Sequence, residues 1–345
     1  MNVEYRAKVL LVMPGGSLFT DPFFRAFSRL GYECTVFNHR QGLVFTNDTL
    51  RRIISRFPIL RFLKTRRVAL TNRRLLALVR LLKPKYLFAQ KGESIYPETI
   101  EEIKKMGVTT INFYNDMMNQ WGAISKIAPA YDYFSNQCHV VLRKLWNELG
   151  LKNCHYLAHS AEPLPEKDLV KEKKYNISFI GTHNNKIYPN REKYLTAISD
   201  LGLHIWGSDG WADTALRNHF HGRSRGDQRL DIYANSKIVV DVNWDVWPAE
   251  GLSNRPFEVT GCGALFVTDH VREDIKRAYV EGKEVVLFRN EQELREKVQY
   301  HLAHEDERAA IALAGYKRTV LDHTYDRRIE QIFDTLEHPE NYLDK

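Results

Sequence analysis

Acidic residues are missing from a long part of this chain: between Thr49 and Gly92 there is no aspartate or glutamate. Lysine and arginine recur through the same stretch, from Arg51 to Lys91, and Leu75, Leu76, Leu78, Val79, Leu81 and Leu82 set an apolar face beside the basic one. A basic amphipathic segment suits an anionic membrane surface or a phosphate backbone. A solvated helix packed on its own domain is the plain alternative. Cysteine is scarce as well. Cys34, Cys138, Cys154 and Cys262 are scattered and form no CxxC pair, which excludes a zinc ribbon and a dithiol redox site. No apolar run is long enough to cross a bilayer, and Val9–Met13 reads as a buried first strand. Without a secretory pattern the expected home is the reducing cytoplasm, with attachment at the inner membrane face open through the basic stretch. There is no GxGxxG fingerprint, no GK[ST] P-loop and no GxSxG elbow. The close histidine pairs, His219 with His221 and His301 with His304, lack an obvious third ligand, so no metal site is expected.

What is present is an ordinary soluble composition, 43% hydrophobic and 27% charged over 345 residues. That length accommodates two domains with separate cores. Short apolar runs alternate with amphipathic stretches. Strands are expected at Val9–Met13, Cys34–Phe37, Tyr86–Ala89, Thr110–Tyr114, Tyr131–Ser135 and His155–Leu157. Helices are expected at Pro22–Leu30, Asp48–Phe57, Asn72–Leu82, Pro97–Met106 and Val140–Leu149. The polar, proline-containing run 162–174 reads as a linker. The alternation then restarts. Strands are expected at Asn176–Ile180, Leu203–Trp206, Ile238–Val242, Ala264–Thr268 and Val285–Phe288. Helices are expected at Asn190–Asp200, Asp227–Asn235, Glu291–Ala303, Asp306–Asp322 and Asp326–Leu336. The pattern predicts an α/β protein of two Rossmann-like domains, 1–161 and 175–325, with 326–345 as a closing helix and tail. Ligands of such sheets bind beyond the carboxyl ends of the strands, in the cleft between domains.

Several strand-end loops hold residues suited to that place. Gly15 and Gly16 follow the first strand and let backbone approach a ligand, or form an ordinary tight turn. Asn115 and Asp116 end a later strand. Asp116 could orient an acceptor hydroxyl or take its proton, or cap the next turn. Gly181 and Thr182 offer donors after the first strand of the second domain, and Lys186 and Arg191 offer positive charge. A nucleoside diphosphate needs that mixture of amides and cations. Trp206, followed by Gly207 and Gly210, could stack on a base or sit in the core.

The densest signal runs from Glu250 to Glu258. It sets a loop carboxylate eight positions before a second carboxylate in the opening turns of a short helix. Asn243 ends the strand before it. Ser253 or Asn254 would cap the helix, whose exposed amides and Arg255 could hold a phosphate. Glu258, one turn further in, could accept two hydrogen bonds from ribose hydroxyls. An i,i+3 surface pair between Arg255 and Glu258 is the structural alternative.

This stretch resembles the Glu-x7-Glu motif of retaining glycosyltransferases with two Rossmann-like domains. The region Asn176 to Phe333 is similar to the glycosyltransferase family that includes the spore-maturation protein CgeB. The residues that carry the likeness are Ile177–Thr182, Asn190-Arg191, Ser236–Ile238, Asn254–Glu258 with Gly261, Gly263 and Ala264, then Glu293-Leu294, His301–His304, Glu307-Arg308, Gly315 and His323–Arg327. The resemblance implies the GT-B fold and a nucleotide-sugar donor, most simply a UDP-sugar. It implies Glu258 at the ribose, Arg191 and the Ser253 and Asn254 amides at the diphosphate, and Glu250 at the transferred sugar. It also implies that no metal or other cofactor is needed and that the last helix returns to the first domain. The function expected is glycosyl transfer with retention to a cell-envelope or lipid-linked glycan. A phage-type enzyme that glycosylates a modified DNA base is one alternative. A non-catalytic nucleotide-sugar-binding protein on the same scaffold is another.

Overall fold

The computed structural model describes residues 5–41, 58–224, 226–243 and 250–339. The helix expected at Asp48–Phe57 lies outside the described residues, as do Arg51, Arg52 and Arg56. By internal contacts the chain divides into two units, Met1–Leu157 with Arg328–Lys345, and Ala158–Arg327.

The first unit holds strands β1 (Lys8–Met13), β2 (Glu33–Asn38), β3 (Tyr86–Gln90), β4 (Thr109–Phe113), β5 (Tyr133–Asn136) and β6 (Cys154–Tyr156). They form one parallel sheet in the order β2-β1-β3-β4-β5-β6. β1 is buried from Val9 to Met13. A parallel strand covered on both faces selects such continuous apolar runs instead of alternation. The helix expected to begin at Asn72 begins at Pro58 and runs to Leu82, 25 residues. Proline is tolerated at a first helical position because its missing N–H would have no partner there. Leu75 and Val79 carry the helix into the core beside Leu10, Leu87 and Ile100. Asn72 anchors it further: Nδ2 donates to the Ser94 carbonyl at 2.9 Å, and Oδ1 accepts from Tyr96 N at 2.9 Å.

The last helix, Tyr325–Glu337, enters this unit from Arg328 onward. Phe333 stacks on Tyr32 with ring centroids 5.1 Å apart and meets the edge of Tyr86 at 4.8 Å. Gln331 Nε2 donates to the Tyr156 carbonyl at 3.2 Å. The closing helix thus completes the aromatic packing of the first sheet, as the resemblance implies.

The second unit holds β7 (Tyr175–Gly181), β8 (Leu203–Gly207), β9 (Ser236–Asp241), β10 (Leu265–Asp269) and β11 (Val286–Phe288). This sheet is also parallel, in the order β11-β10-β9-β7-β8. Ile177, Ile205 and Val240 pack on one face, and Val239, Phe266 and Leu287 on the other. The chain leaves β7 for β8 on one side and returns to β9 on the other, so the strand order reverses between β7 and β9. The expected helix Asn190–Asp200 is instead Arg191–Thr196 followed by a 3-10 turn, Ser199–Leu201. Ser199 Oγ donates to the Thr196 carbonyl at 2.9 Å and competes with the helical ladder.

The run 162–174 lies along this unit. Leu164 N donates to the Gly261 carbonyl at 3.0 Å, and Tyr316 Oη donates to the Leu164 carbonyl at 2.7 Å. Lys173 Nζ reaches the carbonyls of Ala234 at 2.7 Å and Gly263 at 3.3 Å. Burial lowers the Lys173 pKa to about 8.

Candidate functional site

In the second unit the polar side chains gather at the carboxyl ends of β7, β9 and β10, beside the reversal of strand order. β7 ends at Gly181. A Cβ there would lie 2.6 Å from the Phe179 ring and 3.3 Å from Arg191 Nη1, so glycine is what lets the guanidinium rest against the strand end. Arg191 is 4% exposed. Its Nε donates to the Val242 carbonyl at 2.9 Å and its Nη1 to the Thr182 carbonyl at 2.7 Å. The Tyr188 ring centroid lies 3.3 Å from its Cζ. Both acceptors are neutral, and neither bond uses Nη2. Burial, and next the positive charge of Arg255, lower the Arg191 pKa to about 10. Among the described residues no carboxylate forms an ion pair with it. Asp241, which is paired with Arg255, offsets part of that repulsion. Lys186 is exposed, and its backbone N–H turns in to Asn184 Oδ1 at 3.1 Å.

Trp206 takes the core alternative. It is 5% exposed, with the edge of Tyr175 at 5.1 Å and the His221 ring stacked at 4.8 Å. Its ring is covered by the protein's own side chains, so it offers no slot for a base. His221 is itself hydrogen-bonded to His204 at 2.8 Å. Among the described residues no group of three His, Cys, Asp or Glu side chains is arranged to hold a metal.

β9 and β10 both end in aspartate. Asp241, 1% exposed, forms an ion pair with Arg255 Nη1. Asp269, 4% exposed, accepts from Asn243 N at 2.6 Å and from Asn243 Nδ2 at 3.0 Å. Burial, and next the charge of Asp241, raise the Asp269 pKa to about 6. Asn243 therefore stands at the strand end as expected, with its amide committed to Asp269 and to Thr268 Oγ1 at 3.0 Å. A small hollow opens here, lined by Asn243, Leu252, Ser253, Thr268, Asp269 and Arg272.

The surface pair between Arg255 and Glu258, the structural alternative for these two residues, does not form. Arg255 turns to Asp241, and Glu258 turns to Arg229 on the helix Gln228–Ala234. Arg229 Nη2 donates to Glu258 Oε1 at 2.7 Å and Nε to Oε2 at 3.1 Å. Asn254 Nδ2 donates to Oε1 at 2.6 Å. Asn254 occupies the cap position of the helix Arg255–Gly261 by its backbone, but its side chain makes no cap bond. Ser253 Oγ instead accepts from Arg255 N at 3.3 Å. A carboxylate has about four acceptor positions. Three are occupied at Glu258, so it can receive one further hydroxyl without losing Asn254, not two. Glu250 is half-buried in the loop before this helix. Its carbonyl lies 3.4 Å from Arg272 Nη1, and the next amide, Gly251 N, donates to Asp274 Oδ2 at 2.6 Å.

In the first unit the loops after β1, β3 and β4 are tied in a row. Ser17 Oγ donates to Gln90 Oε1 at 2.8 Å, and Gln90 Nε2 donates to Asn115 Oδ1 at 3.1 Å. Gly15 N donates to Asn38 Oδ1 at 2.8 Å, and Gly16 takes φ +71° in the turn that follows. Asp116 does not cap the next turn; it forms an ion pair with Lys91 at 2.6 Å.

Residues 191–334 match the family model described as "Glycosyl transferase-like". That part of the chain is glycosyl transferase-like. No protein of curated function matches the sequence. Solved structures match over nearly the whole chain. A glycosyltransferase from Rickettsia africae has a TM-score of 0.62 at 11% identity, covering 99% of both chains. Sucrose-phosphate synthase from Thermosynechococcus elongatus has a TM-score of 0.66 at 8% identity, covering 97% of this chain and 100% of that one. HepE from Anabaena, in complex with UDP-glucose, has a TM-score of 0.62 at 10% identity, covering 96% of this chain and 100% of that one. At such identities the likeness establishes the fold, GT-B with two Rossmann-like domains.

The glycosyl transferase-like stretch contains Arg191, Asn243, Glu250 and Glu258, and also residues that sequence reasoning passed over: Arg229, Asp241, Asp269 and Arg272. Asp241 and Asp269 carried a readable signal, since each is an acid closing an apolar strand. Arg229 carried none, because nothing in its own helix marks it as the partner of Glu258.

Proposed function

We propose that the chain is a glycosyltransferase that moves a sugar from a nucleoside diphosphate, most simply uridine diphosphate, to a hydroxyl of a glycan or lipid-linked acceptor. The observation that carries this reading is Arg191, a buried guanidinium that donates to two backbone carbonyls and, among the described residues, forms no ion pair with a carboxylate, in the glycosyl transferase-like stretch. A diphosphate supplies the charge that this site lacks. The HepE neighbour, in complex with UDP-glucose, supports the choice of nucleotide. The narrower kinship with CgeB-like proteins rests on the residue pattern from Asn176 to Phe333.

In this reading Arg191, with Lys186 at the mouth of the loop and the Gly181, Thr182, Ser253 and Asn254 backbone, holds the diphosphate. Glu258, aimed by Arg229, accepts one ribose hydroxyl. Glu250 meets the transferred sugar. Asp116, fixed by Lys91, orients the acceptor hydroxyl. The acceptor oxygen bonds to the anomeric carbon as the carbon–phosphate oxygen bond breaks, and the acceptor proton passes to the leaving diphosphate on the same face. The protein contributes orientation and charge, without a strong base. The charge comes from side chains, so activity is expected to persist in a chelator.

The test is release of nucleoside diphosphate from a panel of nucleotide sugars, with wild type and Arg191→Met. Release by wild type and its loss in the variant are expected. Tight donor binding with no release from any donor and acceptor would instead point to a non-catalytic binding protein. The anomeric configuration of the product, read by nuclear magnetic resonance, decides retention.

A further inference from the structure

The helix Pro58–Leu82 presents a face that, among the described residues, no packing in its own unit uses. Its inner side is accounted for: Thr71, Asn72, Leu75 and Val79 are buried. On the outer side Phe62, Arg66, Leu70, Arg73, Ala77 and Leu81 follow one another at steps of three or four residues, and all are exposed. Residues so spaced share one helical face. Phe62 is 55% exposed, Leu70 46% and Leu81 78%. Arg67 and Arg74 border the stripe. Arg66 lies over the Phe62 ring, Cζ to centroid 5.4 Å. Arg80 is drawn to Glu102 at 2.5 Å, but among the described residues no carboxylate pairs with Arg73 or Arg74.

A solvated helix mixes charges of both signs. This one shows cations only, interleaved with large apolar side chains. It is too polar to cross a membrane. A phosphate backbone would engage the arginines and leave Phe62, Leu70 and Leu81 in water. A lipid surface engages both sets, headgroups by the arginines and the acyl boundary by the apolar side chains. We propose that this face docks on a bilayer containing anionic lipid, the helix lying in the plane of the interface. The surface belongs to the first unit and stands whether or not the donor reading does.

The test is flotation of the full chain with vesicles of phosphatidylcholine alone and of phosphatidylcholine with phosphatidylglycerol, across a salt series. Binding only to the anionic vesicles, weakening with salt, is expected. Replacing Arg66, Arg73 and Arg74 by glutamine is expected to weaken it by about a hundredfold, taking roughly a factor of five per cation. Replacing Phe62, Leu70 and Leu81 by serine is expected to weaken it by more than about tenfold while keeping the salt dependence. Circular dichroism melting checks the fold of each variant. If a triple variant melts early, Leu81→Glu at the most exposed position takes its place. The proposal is overturned if wild type does not float, if neutral vesicles bind equally, or if the apolar variant binds like wild type. It is also overturned if duplex DNA is bound at a salt concentration where the anionic vesicles are not.

Discussion

Arg229 holds Glu258 by both oxygens, Nη2 to Oε1 at 2.7 Å and Nε to Oε2 at 3.1 Å. The two residues lie on separate helices, Gln228–Ala234 and Arg255–Gly261. A planar fork facing a carboxylate fixes its angle as well as its distance. The residue proposed to meet the donor ribose is therefore aimed by one the chain supplies from another helix.

Arg229→Ala is expected to strip Glu258 of that support. Both side chains are largely buried, 16% and 8% exposed. Breaking such a pair by removing one partner costs about 3 kcal/mol, because the remaining charge stays uncompensated. Uridine diphosphate binding is expected to weaken by about tenfold. Arg229→Lys should recover part of the stability and little of the affinity, since an ammonium cannot make both bonds. Urea unfolding and titration calorimetry read the two effects separately.

Arg191→Met removes a buried charge that has no carboxylate of its own. Stability should move by no more than about 2 kcal/mol, because lost bonds to two carbonyls are offset by the removal of a desolvated cation. Affinity for uridine diphosphate should fall at least tenfold, about 1.4 kcal/mol. Its dependence on salt should shallow. Unchanged affinity with unchanged stability would leave the diphosphate without its proposed cation.

Asp269 predicts a pH dependence of stability. Its folded pKa is raised to about 6 from 3.8. Between those values the folded state binds the proton and the unfolded state does not. Stability therefore rises as pH falls from about 6 to about 4, and the penalty of the buried charge is fully present above about 6. The shift corresponds to about 2–3 kcal/mol. Asp269→Asn cannot titrate. The stability difference, wild type minus variant, should fall by that amount between pH 4 and 6, read from denaturant unfolding at each pH. A flat difference would show that Asp269 titrates as it does in the unfolded chain.

Gly207→Ala is expected to damage the end of β8. A Cβ there would lie 1.9 Å from the Gly181 carbonyl oxygen, which is backbone and already accepts from Trp211 Nε1 at 2.8 Å. Relief requires moving the strand end against which Arg191 rests. A loss of about 3 kcal/mol is expected, with weaker nucleotide binding. Gly122→Ala is the control. It sits in the helix Trp121–Ile127, where an added Cβ would meet nothing within 4 Å, and should be neutral or stabilising by up to about 1 kcal/mol.

The sequence by itself determined the two parallel sheets. The central strand runs, such as Val9–Met13 and Leu265–Asp269, are buried along their length, and most strands are followed by a helix-period segment, so local pattern and layer packing agree at most elements. It also placed Glu258 and Arg191 in the segments that follow two strands of the second sheet, and the resemblance it carries implied that the last helix returns to the first unit. What it left open were the partners. The local pair it allowed between Arg255 and Glu258 is replaced by Arg255 with Asp241 and Arg229 with Glu258, and Trp206 is covered by Tyr175 and His221. Spacing along a helix reveals neighbours three or four positions away, whereas an ion pair between helices depends on how each packs on the sheet. Only the tertiary structure brings Arg229 to Glu258, closes Asp241 on Arg255, and buries Arg191 against two carbonyls with no ion pair to a carboxylate among the described residues. Burial makes that difference matter, because a charge removed from water must find its counter-charge in the fold or in a ligand.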